Sequence, residues 1–407
     1  MTSDPCRSPL PSPTRAAGLA RLRDFVEDAG RAYASRRNHD LPGHPHVSRL
    51  SAHVRHRLVT EEEVLATVLG RHSRAAAEKF VQEVYWRTYW KGWLERRPSV
   101  WTGYRAGVLR GLDRVAAETG LQDRWQAACT GETGIDAFDH WARELVQTGY
   151  LHNHARMWFA SIWIFTLRLP WELGADLFLR HLADGDPASN TLGWRWVAGL
   201  QTPGKTYLAR ADNIARYTEG RFSPKGLATD APPVAGPPNP PAGPMPCGGA
   251  WDPDLRTGLL LTEDDLSPGF LTARGLLPAG IGLLAGDDAR SPLETAAPVG
   301  AFTSAAIADM AARQTDKHGA LAGPWRGDDA VDAAFDWASG FRQIVMPWAP
   351  TGPARDRVDV LARRLDAAGI PLVRVLRDHD AAAWPHATHG FFRFREKIPT
   401  LLSRHAA

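Results

Sequence analysis

Cysteine is scarce in this chain. Only Cys6, Cys129 and Cys247 occur in 407 residues, far apart and without a CxxC pair, so neither a disulfide framework nor a zinc cluster is expected and a reducing cytoplasm fits best. Long apolar runs are lacking too. The longest, WFASIWIF at 158–165, is far too short to span a bilayer, and no basic, then apolar, then small-residue leader opens the chain. Export and membrane insertion are therefore not expected. No GxGxxG follows a strand pattern, which argues against a nicotinamide-linked flavin oxidoreductase. Tryptophan, by contrast, is abundant: there are 16, eleven of them before residue 200, more than core packing alone usually needs.

Proline and glycine dominate residues 231–249, APPVAGPPNPPAGPMPCGG, where no helix or strand period survives. This divides the chain into a helical domain (1–225), a linker (226–250) and an α/β domain (251–407). Upstream the period is helical, with a run from Pro13 to Ser35, a capping box of Thr60 and Glu63, and segments at 74–96, 136–148, 153–168 and 172–183. Downstream, short apolar runs at 257, 281, 343 and 371 alternate with helical patterns at 301–313 and 353–368, which predicts α/β architecture with a parallel sheet. Lys and Arg minus Asp and Glu is 31 − 24 = +7 for residues 1–226 and 17 − 21 = −4 for the rest, so the basic surface belongs to the helical half. A solvated surface or phosphate binding explains it equally well.

Four stretches carry chemistry. FVQEVYWRTYWKGW at 80–93 places Glu83, Trp86, Arg87 and Trp90 on one helical face, suited to a planar polar molecule stacked on the rings or to an amphipathic core helix. SRLS, Ser48 to Ser51, offers two hydroxyls and a guanidinium at a helix start; it reads as a pyrophosphate cradle or as an N-cap with an exposed arginine. HNHARM puts Asn153, Arg156 and Met157 on one face. DGDPASNTLGWRW, from Asp184 to Trp196, lacks the further oxygen ligands of a calcium site and reads as a loop touching a heterocycle. His39, His44 and His46 cluster in a proline-rich loop and read as surface histidines, not metal ligands.

In their order, these motifs and PTRAAGLARLRDF with Tyr33 and Arg37 resemble the flavin-binding domain of the DNA photolyase and cryptochrome family over residues 13–223. The resemblance implies an all-helical fold holding FAD. Tyr33, Ser48, Arg49, Leu50 and Ser51 would hold its phosphates and neighbouring groups, and Phe80, Glu83 and Arg87 would line the cavity. Arg156 and Asp184 would pair beside the flavin ring, with Asn153 and Asp186 in contact and Asn190 at the ring nitrogen N5. It further implies light-driven splitting of cyclobutane pyrimidine dimers in DNA by electron transfer from reduced FAD. Glu83 and Asn190 would be the catalytic pair, and Arg37, Glu83, Trp86, Asn153, Met157 and Trp196 the lesion contacts. The (6-4) enzymes would have histidines at 153 and 157. A cryptochrome-like sensor without repair activity is the alternative.

Trp194 and Trp171 match two members of the family's electron-transfer chain; the third has no clear match, with Trp125 or Trp101 as substitutes. Val47 replaces the hydroxyl residue usual before SRLS. The antenna domain that normally precedes the flavin domain is not expected ahead of Pro13, where the resemblance begins, yet residues 348–394 faintly resemble its latter half. The C-terminal domain is thus a relocated antenna-like domain or an unrelated small Rossmann-like module, and no antenna chromophore is assigned.

Overall fold

The computed structural model describes residues 10–403, so Cys6 lies outside the described residues. The helical half comprises α1 (Arg15–Phe25), α2 (Arg31–Arg36), α3 (Ser51–Arg55), α4 (Glu61–Arg71), α5 (Arg74–Glu95) and α6 (Ser99–Ala117). It continues with α7 (Thr119–Thr130), α8 (Asp136–Thr148), α9 (Asn153–Ser161), α10 (Trp171–His181), α11 (Pro187–Val197) and α12 (Ala211–Tyr217). The capping box is present: Thr60 Oγ1 accepts from Glu63 N, and the Glu63 carboxylate accepts from Thr60 N. The expected run from Pro13 to Ser35 is broken, since Gly30 separates α2 from the 3₁₀ turn that ends α1. The expected helix at 153–168 ends in a π turn at 162–166. DGDPASNTLGWRW is not a loop. Asp186 caps α11 and Pro187 starts it, the arrangement in which a proline at the first helical position loses no hydrogen bond.

The second half adds β1 (Thr257–Leu261), α13 (Gly269–Ala273), β2 (Gly280–Leu284), α14 (Ala297–His318), β3 (Ala322–Trp325), α15 (Ala330–Ala338), β4 (Gln343–Pro347), α16 (Pro353–Ala367) and β5 (Leu372–Val375). Three short helices end the described chain: α17 (Asp378–Ala383), α18 (Phe391–Arg395) and α19 (Ile398–Ser403). All four strand pairings are parallel, in the order β3-β2-β1-β4-β5. The strand order reverses between β1 and β4, and beyond the carboxyl ends of such strands open α/β sheets usually hold ligands. Here that end is filled by the helical half. Arg55 pairs with Asp264, His56 Nδ1 meets Glu263 O at 2.7 Å, and Arg57 reaches Asp265 and Asp380. Leu58, fully buried, joins the core of the sheet beside Leu259, Leu261 and Val345. On the β4 side, Glu95 accepts from Trp348 Nε1 at 3.0 Å and Thr351 N at 2.9 Å.

An expected boundary at residue 250 does not divide the packing. After β5 the chain returns to the helical half, where Ala383, Phe391, Phe394, Ile398 and Leu401 are buried in its core. Gly92 makes the return possible, because a Cβ there would lie 2.7 Å from the Trp384 ring. The segment 221–250 carries no helix or strand, but it is pinned: Gly243 N donates to Arg96 O (2.7 Å), Arg97 Nε to Pro240 O (3.0 Å) and Gly249 N to Arg374 O (2.9 Å). No helix among the described residues is long and apolar enough to cross a membrane.

Candidate functional site

α5 organises the site because its residues repeat on one face with helical spacing. Glu83 is ion-paired with Arg37, which ends α2, and both side chains are about one-third exposed or less, at 30% and 27%. The Arg37 guanidinium also lies 5.9 Å from the Tyr33 ring, and Tyr33 packs edge-on against Phe80 at 5.1 Å. Burial pushes the Tyr33 hydroxyl well up, and nearby Glu83 adds to it, so it remains a neutral donor. One turn along α5, Arg87 donates to Ser51 O (3.3 Å) and to Asp186 (3.4 Å), which ties α5 to the SRLS segment and to the start of α11. Asp186 also accepts from Ser189 Oγ at 2.8 Å.

SRLS runs into α3 through Arg49, whose φ of +52° turns the chain sharply. The arginine is buried, contrary to the exposed N-cap alternative, and its guanidinium lies 5.3 Å from the Tyr150 ring. Arg156 approaches the same ring at 5.8 Å and pairs with Asp184 at 2.9 Å. Burial pushes the Asp184 carboxyl up, but Arg156, a hydrogen bond from Ser51 and the nearby Arg87 together outweigh it and the group stays below the usual carboxylate range. Asn190 is buried in α11 and spends one N–H on Ala175 O at 2.7 Å.

These contacts gather Tyr33, Arg37, Ser51, Phe80, Glu83, Arg87, Arg156, Asp184 and Asp186 into one region. Asp184 Oδ1 is buried there without a hydrogen-bond partner, a polar atom that a bound ligand could satisfy. A guanidinium-rich, hydroxyl-bearing set beside an Arg–Asp pair fits a pyrophosphate joined to a polar heterocycle, and so fits FAD.

The remaining residues are dispersed. Asn153 is exposed at the start of α9, with Met157 partly exposed one turn on. Trp196 packs on Tyr207 at 5.7 Å, whereas Trp86 lies under Phe391 at 3.6 Å with rings 12° apart, so the two tryptophans expected to flank a lesion have different partners. The sequence reading missed Phe391. It sits 305 positions from Trp86, and its one signal was the aromatic-basic run FFRF. Trp194 meets Phe178 (5.1 Å) and Trp163 (6.2 Å); Trp171 adjoins Tyr104 (5.9 Å), which adjoins Trp101 (5.4 Å), so among the described residues Trp101 connects with Trp171 through ring contacts.

His44 is not at the surface. It is buried between Asp40 (3.4 Å) and Glu144 (2.9 Å), and stacks on His152. Among the described residues no group of three His, Cys, Asp or Glu side chains is placed to hold a metal ion. Burial lowers the His44 pKa, but its bonds to both carboxylates outweigh this and raise it. Its stabilisation is present below the unfolded pKa and fades as pH rises through the raised folded value. His152 and His154, lowered by burial to about 3 and about 4, act oppositely and weaken the fold as pH falls below the unfolded value. Urea midpoints should therefore decline on both sides of near-neutral pH, and His44→Gln should flatten the alkaline limb alone.

A family profile described as the FAD binding domain of DNA photolyase matches residues 80–226. A deoxyribodipyrimidine photo-lyase of Thermus thermophilus is 35% identical over 227 residues, covering 54% of this chain and 50% of that protein. That of Streptomyces griseus is 32% identical over 206 residues, covering 47% of this chain and 43% of its own. A cryptochrome crystal structure from Synechocystis aligns with a TM-score of 0.44 and 23% identity over 51% of this chain and 43% of that one. The chain thus spans half or less of the length of these relatives.

Proposed function

We propose that this protein, whose helical half is an FAD-binding domain of the photolyase/cryptochrome family, splits cyclobutane pyrimidine dimers in DNA under blue light. One observation carries the reading: residues for the cofactor and for the lesion interleave on a single helix. On α5, Phe80 and Arg87 contact the proposed cofactor residues of α2, SRLS and α11, while Glu83 and Trp86, between them in sequence, meet Arg37 and Phe391. Flavin and dimer would then both be addressed from one rigid element.

Bound, reduced FAD would supply the light-driven electron that opens the dimer. The protein's residues do the rest. Ser48, Ser51 and Arg87 would hold the pyrophosphate, and Arg156 with Asp184 would set the charge beside the ring. Glu83, oriented by Arg37, offers a hydrogen bond or proton to the dimer carbonyl edge, and Trp86 provides a flat surface for an unstacked base. The +7 balance of the helical half suits a polyanionic partner.

A blue-light sensor without repair activity is the second reading, and the ring of Phe391 covering one face of Trp86 favours it. Illumination of the photoreduced protein with dimer-bearing oligonucleotide, against a dark control, separates the two. The repair reading expects light-dependent reversal, about tenfold slower in Glu83→Gln. Photoreduction without dimer splitting would sink it and leave the sensor.

A further inference from the structure

Of the chain's 14 Phe, 7 Tyr and 16 Trp, only Phe392 is exposed among the described residues, at 72%. Its position is informative. The residue before it, Phe391, is the ring stacked on Trp86. The residues after it include Arg393, Arg395 and Lys397 against a single acid, Glu396, and the Arg395 guanidinium lies 5.4 Å from the Phe392 ring. The segment is firmly held: Tyr89 OH donates to His389 O (2.6 Å), Arg97 Nη2 donates to Thr388 O (2.9 Å), and Phe394 is buried against Tyr89 (5.4 Å). A fixed base thus presents one solvated aromatic ring, amid cations, beside the candidate lesion pocket. A protein partner would call for an apolar patch around that ring, whereas surrounding positive charge calls for a polyanion.

We infer that the C-terminal segment is a nucleic-acid wedge, in which Phe392 enters the gap that a flipped-out dimer leaves in duplex DNA while Arg393 and Lys397 meet the flanking phosphates. Phe391 is a positioning residue that fixes the Trp86 ring. The inference rests on the proposed lesion pocket. Extruding nucleotides costs the stacking of the neighbours left behind, and an inserted aromatic face restores part of it. Single-stranded DNA has no such gap, and this makes the wedge testable.

The test uses the full chain with its flavin and a thymine-dimer oligonucleotide, single-stranded or paired with a strand carrying 2-aminopurine opposite the lesion. Phe392→Ala should weaken duplex binding about tenfold and abolish the fluorescence change of the opposite base, with single-strand affinity and flavin content unchanged. Phe392→Trp should keep both duplex signals. Duplex affinity and fluorescence that match wild type in Phe392→Ala overturn the wedge while leaving the pocket standing. If the wild-type protein fails to prefer the dimer even in single strands, the pocket reading is lost and the wedge falls with it.

Discussion

Arg57→Met is expected to lower stability by about 3 to 5 kcal/mol, the cost of removing one partner from buried charges, and to split urea unfolding into two transitions. The Arg57 side chain, 4% exposed, holds Glu61 at 3.2 Å, Asp265 at 3.3 Å and Asp380 at 2.6 Å, so its loss strands two buried carboxylates, Glu61 and Asp380, at the junction of the two halves. Arg377 would continue to hold Asp265, through bonds of 2.6 and 2.8 Å. The Glu61 and Asp265 carboxyls are held below their usual range, although burial pushes them up, largely by the arginines beside them. Their stabilisation is present above the unfolded carboxylate pKa and is lost as pH falls, so the variant's deficit should shrink in acid. Circular dichroism against urea at neutral pH is the measurement; a single transition shifted by less than about 1 kcal/mol would show that the two halves do not depend on this contact.

Arg156→Met carries the second large effect, on flavin retention. Hydrogen bonds to charged groups contribute about 1.5 to 3 kcal/mol, so flavin affinity should fall roughly 10- to 100-fold, read from the flavin-to-protein absorbance ratio and from equilibrium dialysis. Asp184 would be left buried without its partner and stability would fall too. The double variant Arg156→Met with Asp184→Asn removes that stranded charge. It should recover stability without recovering flavin, which separates a role in binding from a role in folding.

Much of this was legible in the sequence because the informative residues lie close together along the chain. Thr60 and Glu63 announce α4, and Glu83, Trp86, Arg87 and Trp90 announce the face of α5. Four of the five strands stand out as apolar runs. β3, in the middle of the strand sequence but at an edge of the sheet, hides because Ala322–Trp325 contains Gly and Pro, residues that an edge strand tolerates and a central one does not. α11 was misread because Asp, Gly, Pro and Asn are turn formers, and here the same residues cap and start a helix. Phe391 on Trp86 and Leu58 in the sheet core follow no local period. They depend on how distant segments dock, which no window along the chain contains.

Leu58 also bears on the order of events during synthesis. Parallel sheets assemble slowly because their strands pair across long stretches of chain, and while they wait their apolar faces are prone to aggregate. Here a side chain that completes the sheet core leaves the ribosome almost two hundred residues before β1. The helices made by then can already display this plug when the first strand emerges, a template for the sheet, while their own core closes only when Phe391, Phe394 and Leu401 return to it. A C-terminal fragment made alone would have to form the same sheet without that template.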